Sequence, residues 1–304
     1  MTITRGQFPL LLEPKISNIW NEAYPQRAVF YTAFVNVRTT GKASVTDYKM
    51  TDLGALRLKG EGENIQYDDP INGPSKVHTP VRFGLGYKIT REMRKHDLYG
   101  QIDRLERALI KSAVDLQEVT AHYVLNNGFG TTAADGFSAT GFDGLQLFST
   151  AHTRLDGGTA QRNRPSTDVD LSPTAVQNML IDFRNLKDDR GRPSMIRPKV
   201  LIVSPEDMFT AKEILESEYK PGTANNDINA IKGEGLSFMV SDYKTDTDAW
   251  FAIGDQHDIS FIWDERPRTA TEEDFDSEVY KHKCIEGFAV GHGEWRGAWG
   301  TSGG

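Results

Sequence analysis

Residues 44–90 read SVTDYKMTDLGALRLKGEGENIQYDDPINGPSKVHTPVRFGLGYKIT. β-Forming residues are scattered among many charges, with glycines at 54, 60, 62, 73, 84 and 86. Little of this stretch can build a core. A two-stranded ribbon standing alone is marginal in water at best. A long, charged, glycine-dotted one is therefore either disordered or laid across another molecule, which points to assembly. Directly after it, residues 91–126 place Leu98, Ile102, Leu105, Leu109, Ala113, Leu116 and Thr120 at three- and four-residue spacing, the pattern of one long helix. Gly100 is its weak point, at about 1 kcal/mol against alanine. Asn127-Gly128 offers a left-handed cap at its end. At about 1.5 Å per residue such a helix would be roughly 45–50 Å long, the backbone of an elongated subunit.

On the N-terminal side, residues 1–40 mix Phe8, Leu10, Leu11, Ile16, Trp20, Tyr24, Phe30, Tyr31 and Phe34 with prolines at 9, 14 and 25. This reads as an extended arm with hydrophobic hooks and a short helix around residues 16–22. The alternative is an ordinary terminal element packed on its own domain. On the C-terminal side, residues 128–165 form a Gly/Thr/Ala/Asp-rich loop region around one apolar cluster, FDGLQLFSTAH. Residues 171–264 read as an α/β unit. Ser172-Pro173 caps a helix carrying Val176, Leu180, Phe183 and Leu186. Residues 199–203 (KVLIV) form a buried strand, and Ser204-Pro205-Glu206-Asp207 starts a second helix that stops at Pro221-Gly222. Strands are expected at 236–240, 250–253 and 259–263, the last two joined as a hairpin through 254–258. Residues 266–278 are strongly acidic, the run 272–278 reads as a solvated or intersubunit loop, and 277–299 return to β character.

Composition narrows the function classes. The 304 residues suffice for one large or two medium domains, and 38% hydrophobic with 26% charged residues describes a globular chain. No apolar run approaches the roughly 20 residues needed to span a bilayer. The start, MTITRGQFPLLLEPK, reads as neither signal nor transit peptide. A single cysteine, Cys284, excludes an internal disulfide and suits a reducing cytosol. The net charge of −8 gives no global attraction to phosphate backbones, though local patches can still be basic.

Catalytic signatures are thin. There is no Walker A, HExxH, CxxC or G-x-S-x-G, and Gly136-Phe-Ser138-Ala-Thr-Gly141 has the wrong spacing for the last. Ser149, His152 and Asp156 invite a triad reading, but proximity in a loop is not triad geometry, and a turn network is the simpler expectation. Gly291-His-Gly293-Glu-Trp-Arg-Gly297 misses a dinucleotide loop by one residue. His282 and Cys284 share a strand face, and with His292 they could be imagined as metal ligands, but no fourth ligand stands at the usual spacing. No catalytic, cofactor or metal residue is assigned.

Asp143-Gly-Leu-Gln-Leu-Phe-Ser-Thr-Ala-His152 resembles a segment of the major head proteins of tailed bacteriophages, particularly those related to the Mu-like head subunit. Trp250-Phe-Ala-Ile-Gly-Asp, Ile259-Ser-Phe-Ile-Trp-Asp-Glu265 and the stretch from Val279 to Gly297 are similar to the end of these proteins. The resemblance implies an α+β, Hong Kong 97-like capsid fold. It assigns residues 1–40 to an N-terminal arm and 41–90 to the E-loop ribbon. Residues 91–169 become a peripheral domain with a spine helix, 170–265 an axial domain, and 266–304 a return to the peripheral domain. It implies a structural major capsid protein that assembles through hexamers and pentamers into an icosahedral head around double-stranded DNA, in the host cytoplasm, with no cofactor. Its partners would be itself, a separate scaffolding protein, a portal protein, non-specifically held DNA on the inner face and a decoration protein; no membrane is implied. Phe8, Trp20, Lys59, Glu61, Tyr67 and Asp68 are candidate intersubunit contacts. Some such proteins join ribbon lysines covalently to asparagine; Lys49 and Lys59 read more simply as soluble edge charges. An encapsulin-like cellular shell protein is the alternative, and a serine hydrolase using the Ser149/His152 region a more distant one.

Overall fold

The computed structural model describes residues 9–96, 100–133, 136–219 and 227–304, with side chains from residue 18 onward, Arg94 excepted. In place of the expected extended arm with a short helix at 16–22, one 18-residue helix, α1 (Pro9–Gln26), packs on the long helix of its own chain and leads into strand β1 (Asn36–Thr39), a member of the first sheet. Strands β2 (Val45–Met50) and β3 (Asn72–His78) pair antiparallel as an isolated ribbon. Strand β4 (Val81–Ile89) does not continue that ribbon. It joins a four-stranded sheet in the order β1-β8-β9-β4, with β8 at Ile259–Glu273 and β9 at Tyr280–His292. The stretch read as one ribbon is thus divided at Thr79-Pro80.

The predicted single helix is two. Thr90 caps α2 (Arg91–Lys95), its hydroxyl accepting from Met93 N at 3.3 Å. Gly100 then takes the left-handed conformation (φ +65°) and caps α3 (Gln101–Asn126). A residue in that region cannot propagate a right-handed helix, and glycine adopts it without the Cβ clash. α3 is therefore roughly 39 Å long at about 1.5 Å per residue. Leu98 of the expected stripe lies outside the described residues. α3 lies on the first sheet, with Ile102, Leu109, Ile110 and Ala113 buried beneath it.

A second sheet has the order β10-β7-β5-β6. Helix α4 (Pro173–Asn185) is capped by Ser172, which accepts from Ala175 N at 3.2 Å, as expected. β5 (Pro198–Val203), helix α5 (Met208–Glu216) and β6 (Ser237–Val240) form a parallel crossover. α5 ends before the expected Pro221-Gly222 stop, which lies outside the described residues. β7 (Trp250–Gly254) pairs with β5 and with β10 (Ala298–Thr301). β7 and β8 are not the expected hairpin: residues 255–258 carry the chain from one sheet to the other. The acidic run 272–278 is loop only from residue 274 onward: Glu272 and Glu273 still extend β8 alongside β9. The last strand, β10, returns to the second sheet. One continuous core joins the sheets, running from Phe261, Trp263 and Phe288 to Trp250, Trp295 and Trp299.

Candidate functional site

The ribbon is held at its root by buried charge. Lys49 on β2, only 9% exposed, places Nζ 3.1 Å from Asp189 Oδ2 and 2.7 Å from Glu294 Oε2. Arg296 closes the group, 3.2 Å from Asp189 Oδ1 and 3.0 Å from Glu294 Oε1. Burial works to raise the Asp189 carboxyl, but Arg296 and Lys49 outweigh it and hold it below the ordinary value. Two cations facing two anions satisfy one another, which is the condition for burying charge at tolerable cost. On the other strand, Lys76 donates to Thr140 O at 2.5 Å and to the Ser138 hydroxyl.

Above this root the ribbon loses its support. Between β2 and β3, residues 52–70 contain no buried side chain. Leu56 and Leu58 are fully exposed, Tyr67 is 94% exposed and Ile65 65%. Arg57 donates to Gln66 Oε1 at 2.5 Å, so the two chains face each other there. Leu56 and Leu58 flank Arg57, and Ile65 and Tyr67 flank Gln66. These four exposed apolar side chains thus gather around one contact between the two chains. An isolated exposed leucine is ordinary, but a contiguous apolar patch marks an interaction surface.

The expected contact residues separate. Lys59, Glu61, Tyr67 and Asp68 are exposed on this ribbon. Asp68 is partly engaged, accepting from Gly54 N at 2.6 Å. Phe8 lies outside the described residues. Trp20 needs correction: it is 6% exposed, stacks on Tyr24 at 5.4 Å and packs against Leu109, Ile110, Ala113 and Cys284. An aromatic ring so enclosed fastens the arm to its own subunit. Lys49 is no edge charge, as the root cluster shows. Its partners Asp189, Glu294 and Arg296 were invisible in the sequence, being far apart along it. Only the charge-dense turn Lys187-Asp-Asp-Arg-Gly-Arg-Pro193 hinted that a structured contact lay there.

The residues that suggested hydrolysis are structural. His152 is fully buried and stacks on Trp295 at 4.2 Å. Its Nδ1 lies 2.6 Å from Asp143 Oδ2, and its Nε2 lies 3.1 Å from Asn163 Oδ1. Asp156 instead binds Arg154 and Gly158 N, and the Ser149 hydroxyl accepts from Ala151 N. His152 therefore orients a loop that carries Leu147 and Phe148 into the core. Among the described residues no cluster of His, Cys, Asp or Glu could hold a metal ion. His282 and Cys284 do share a buried face of β9, but His282 Nε2 meets Glu106 Oε2 at 3.1 Å. Burial pushes the Cys284 thiol up to about 12, so it is a packing group and not a nucleophile. No helix among the described residues is long and apolar enough to cross a membrane.

The family model described as phage capsid protein matches residues 74–300. Solved structures share the fold. The procapsid of bacteriophage JBD30 matches with a TM-score of 0.53 at 13% identity, over 98% of this chain and 76% of that one. The JBD30 capsid decorated with minor capsid protein trimers gives 0.53 at 15% identity, over 72% and 92%. A virus-like particle from Pyrococcus furiosus gives 0.55 at 8% identity, over 95% and 98%. No curated protein matches the chain. The family match begins at Pro74, beyond the arm and the ribbon's exposed tip.

Proposed function

The chain belongs to the phage capsid protein family, and from that premise we propose that its ribbon is the reach by which one subunit grips the next in the shell of a phage head. The protein is a structural major capsid subunit of Hong Kong 97-like fold. The observation that carries the ribbon's role is the exposure of Leu56, Leu58, Ile65 and Tyr67, which their own subunit leaves bare. Burying such apolar surface contributes roughly 25 cal/mol per Å2, and a second copy is the one partner present in every shell position. Residues 44–78 act as the E-loop, α3 as the spine helix, and the β5–β7 sheet as the axial unit around which hexamers and pentamers close. The shell encloses double-stranded DNA held non-specifically on its inner face. A scaffolding protein and a portal protein direct assembly in the host cytoplasm. The minor capsid protein trimers of the JBD30 capsid favour a decoration protein on the outer face here too.

The test is Leu56→Ser with Leu58→Ser. Circular dichroism and melting should match the parent, because neither side chain touches its own core, while electron microscopy should show capsomers or aggregates in place of closed shells. Closed shells of normal yield would remove the ribbon from the assembly mechanism. A cellular shell of the same fold is the alternative, which the match to the phage capsid protein family does not favour. Nucleic acid inside particles recovered from the native source separates the two.

A further inference from the structure

The ribbon root contains more than an anchor. The turn after α4, residues 186–194, projects from the second-sheet unit against the ribbon. Gly191 holds it in the left-handed region (φ +80°). Asp188 folds it: one carboxylate oxygen accepts from Arg190 N at 2.9 Å and Arg192 N at 2.8 Å. That tight turn aims the guanidinium of Arg190 at the place where the paired strands give way to the exposed tip. Its Nε lies 3.3 Å from the Thr51 hydroxyl and 3.2 Å from Asp52 O on the outgoing chain. Its Nη2 lies 2.6 Å from Asp69 O and 3.6 Å from Asp68 Oδ2 on the returning chain. Thr51 in turn ties the chains together where the paired strands end, its N donating to Ile71 O at 3.0 Å and its hydroxyl accepting from Ile71 N at 2.9 Å. One planar fork thus spans both chains at the ribbon's neck, a geometry an ammonium cannot reproduce.

Two further features give this contact a mechanical meaning. First, Lys49, Asp189 and Arg296 below it have side chains no more than 10% exposed, with Glu294 at 24%, whereas the Arg190 contact pairs a 19% exposed guanidinium with Asp68 at 47%. The lower group is costly to open, since separating Lys49 or Arg296 from Asp189 strands a buried charge. The upper one has one partner, Asp68, that water already reaches. Secondly, a cleft of about 320 Å3 lies beside the neck. Met50, Thr51, Asp52, Asp189, Arg190 and Ile196 are among the residues that line it, so the neck borders open space.

We propose that Lys49 is the pivot of the ribbon and Arg190 its latch: the second-sheet unit sets the direction in which the ribbon leaves the subunit, and opening the Arg190 contact frees the ribbon to swing without unfolding the body. The latch operates within one chain. Its consequence for shells rests on the reading that the ribbon crosses to a neighbour, but the swing itself does not.

Spin labels at Lys59→Cys and Lys212→Cys, in a Cys284→Ala background, report the angle between ribbon and body. Labelled full-length chains are diluted into unlabelled ones so that only intrachain distances are read, and unassembled subunits and shells are measured separately. The parent should give one narrow distance peak in the unassembled subunit. Arg190→Ala should lose that single peak and spread it, with an unchanged melting temperature. Arg190→Lys keeps the charge but cannot span both chains; it should also broaden the peak, and it guards against a folding defect in the alanine variant. A single peak at the parent position in both variants overturns the latch. A broad peak already present in the parent overturns it too. Broadening with normal shells would keep the latch and reject the ribbon's role in assembly.

Discussion

β7 and the ribbon tip are both rich in large apolar side chains, and they meet opposite fates. Trp250, Phe251 and Ile253 are at most 2% exposed, whereas Leu56, Leu58 and Tyr67 are at least 94% exposed. Pairing and layering both differ. β7 is hydrogen-bonded on both edges, to β5 and β10, whereas residues 52–70 form no strand. Phe148 from the preceding loop stacks on Phe251, and Trp299 on neighbouring β10 packs beside Trp250. The ribbon has two strands and nothing on either face. The same kinds of side chain therefore make a core in one place and an interface in the other, and the boundary between them is the charged root at Lys49.

The largest expected effect lies on the core side. Trp250 is fully buried, packs on Trp299 at 4.8 Å, and donates from Nε1 to Val169 O at 3.1 Å. Trp250→Ala should cost about 3–5 kcal/mol in urea unfolding of the unassembled subunit. If it costs no more than Leu58→Ala, the contrast between core and ribbon fails.

Next in size is a pH effect under α3. Burial pushes the Glu286 carboxyl from its ordinary 4.5 up to about 7, and the hydrogen bond from Gln117 Nε2 at 2.7 Å only partly offsets it. The folded chain then binds this proton more tightly than the unfolded one. Stability is fully present below about 4.5 and falls as pH rises towards about 7. Glu286→Gln should flatten that part of the curve of unfolding free energy against pH. An unchanged slope would mean that Glu286 is ionised and solvated throughout.

Smaller still is Ser149→Ala. The hydroxyl accepts from Ala151 N at 3.3 Å, so its loss should cost about 1 kcal/mol and abolish no reaction. Any hydrolysis by the parent that disappears in this variant would contradict the structural role given to the His152 loop. Smallest is Tyr67→Ala, which should leave subunit stability within about 0.5 kcal/mol, because the ring is almost wholly exposed on its own chain. The shell yield should nevertheless fall. That combination sharpens the comparison, since one residue then counts in the interface and not in the core.

Much of the fold was legible because local signals agreed. Ser172-Pro173 announced α4, the VLIV run announced β5, and three- and four-residue spacing announced α3. Gly100 was readable as a weak point, but not as a left-handed cap, because its φ depends on where α2 and α3 are held. The charged, glycine-dotted ribbon was legible as an unsupported element. Trp20 was misread as a hook for a neighbour, because nothing in its own segment shows that α3 offers it a seat. The β7–β8 hairpin was misread for a related reason: a short polar turn between two apolar strands is the same string whether the strands pair or part into two sheets.

What the sequence determined by itself is the kind of molecule: a mixed α and β chain with a long helix and a ribbon that cannot bury itself. These follow from periodicity and composition, which act over a few residues and need no partner. What only the tertiary structure decided is which charges meet. Lys49, Asp189, Glu294 and Arg296 come from three distant parts of the chain, and Arg190 reaches the ribbon's neck only because Asp188 and Gly191 fold its turn. Buried charges are stable only in company, and that company is chosen by how the two sheets pack, which no local pattern records.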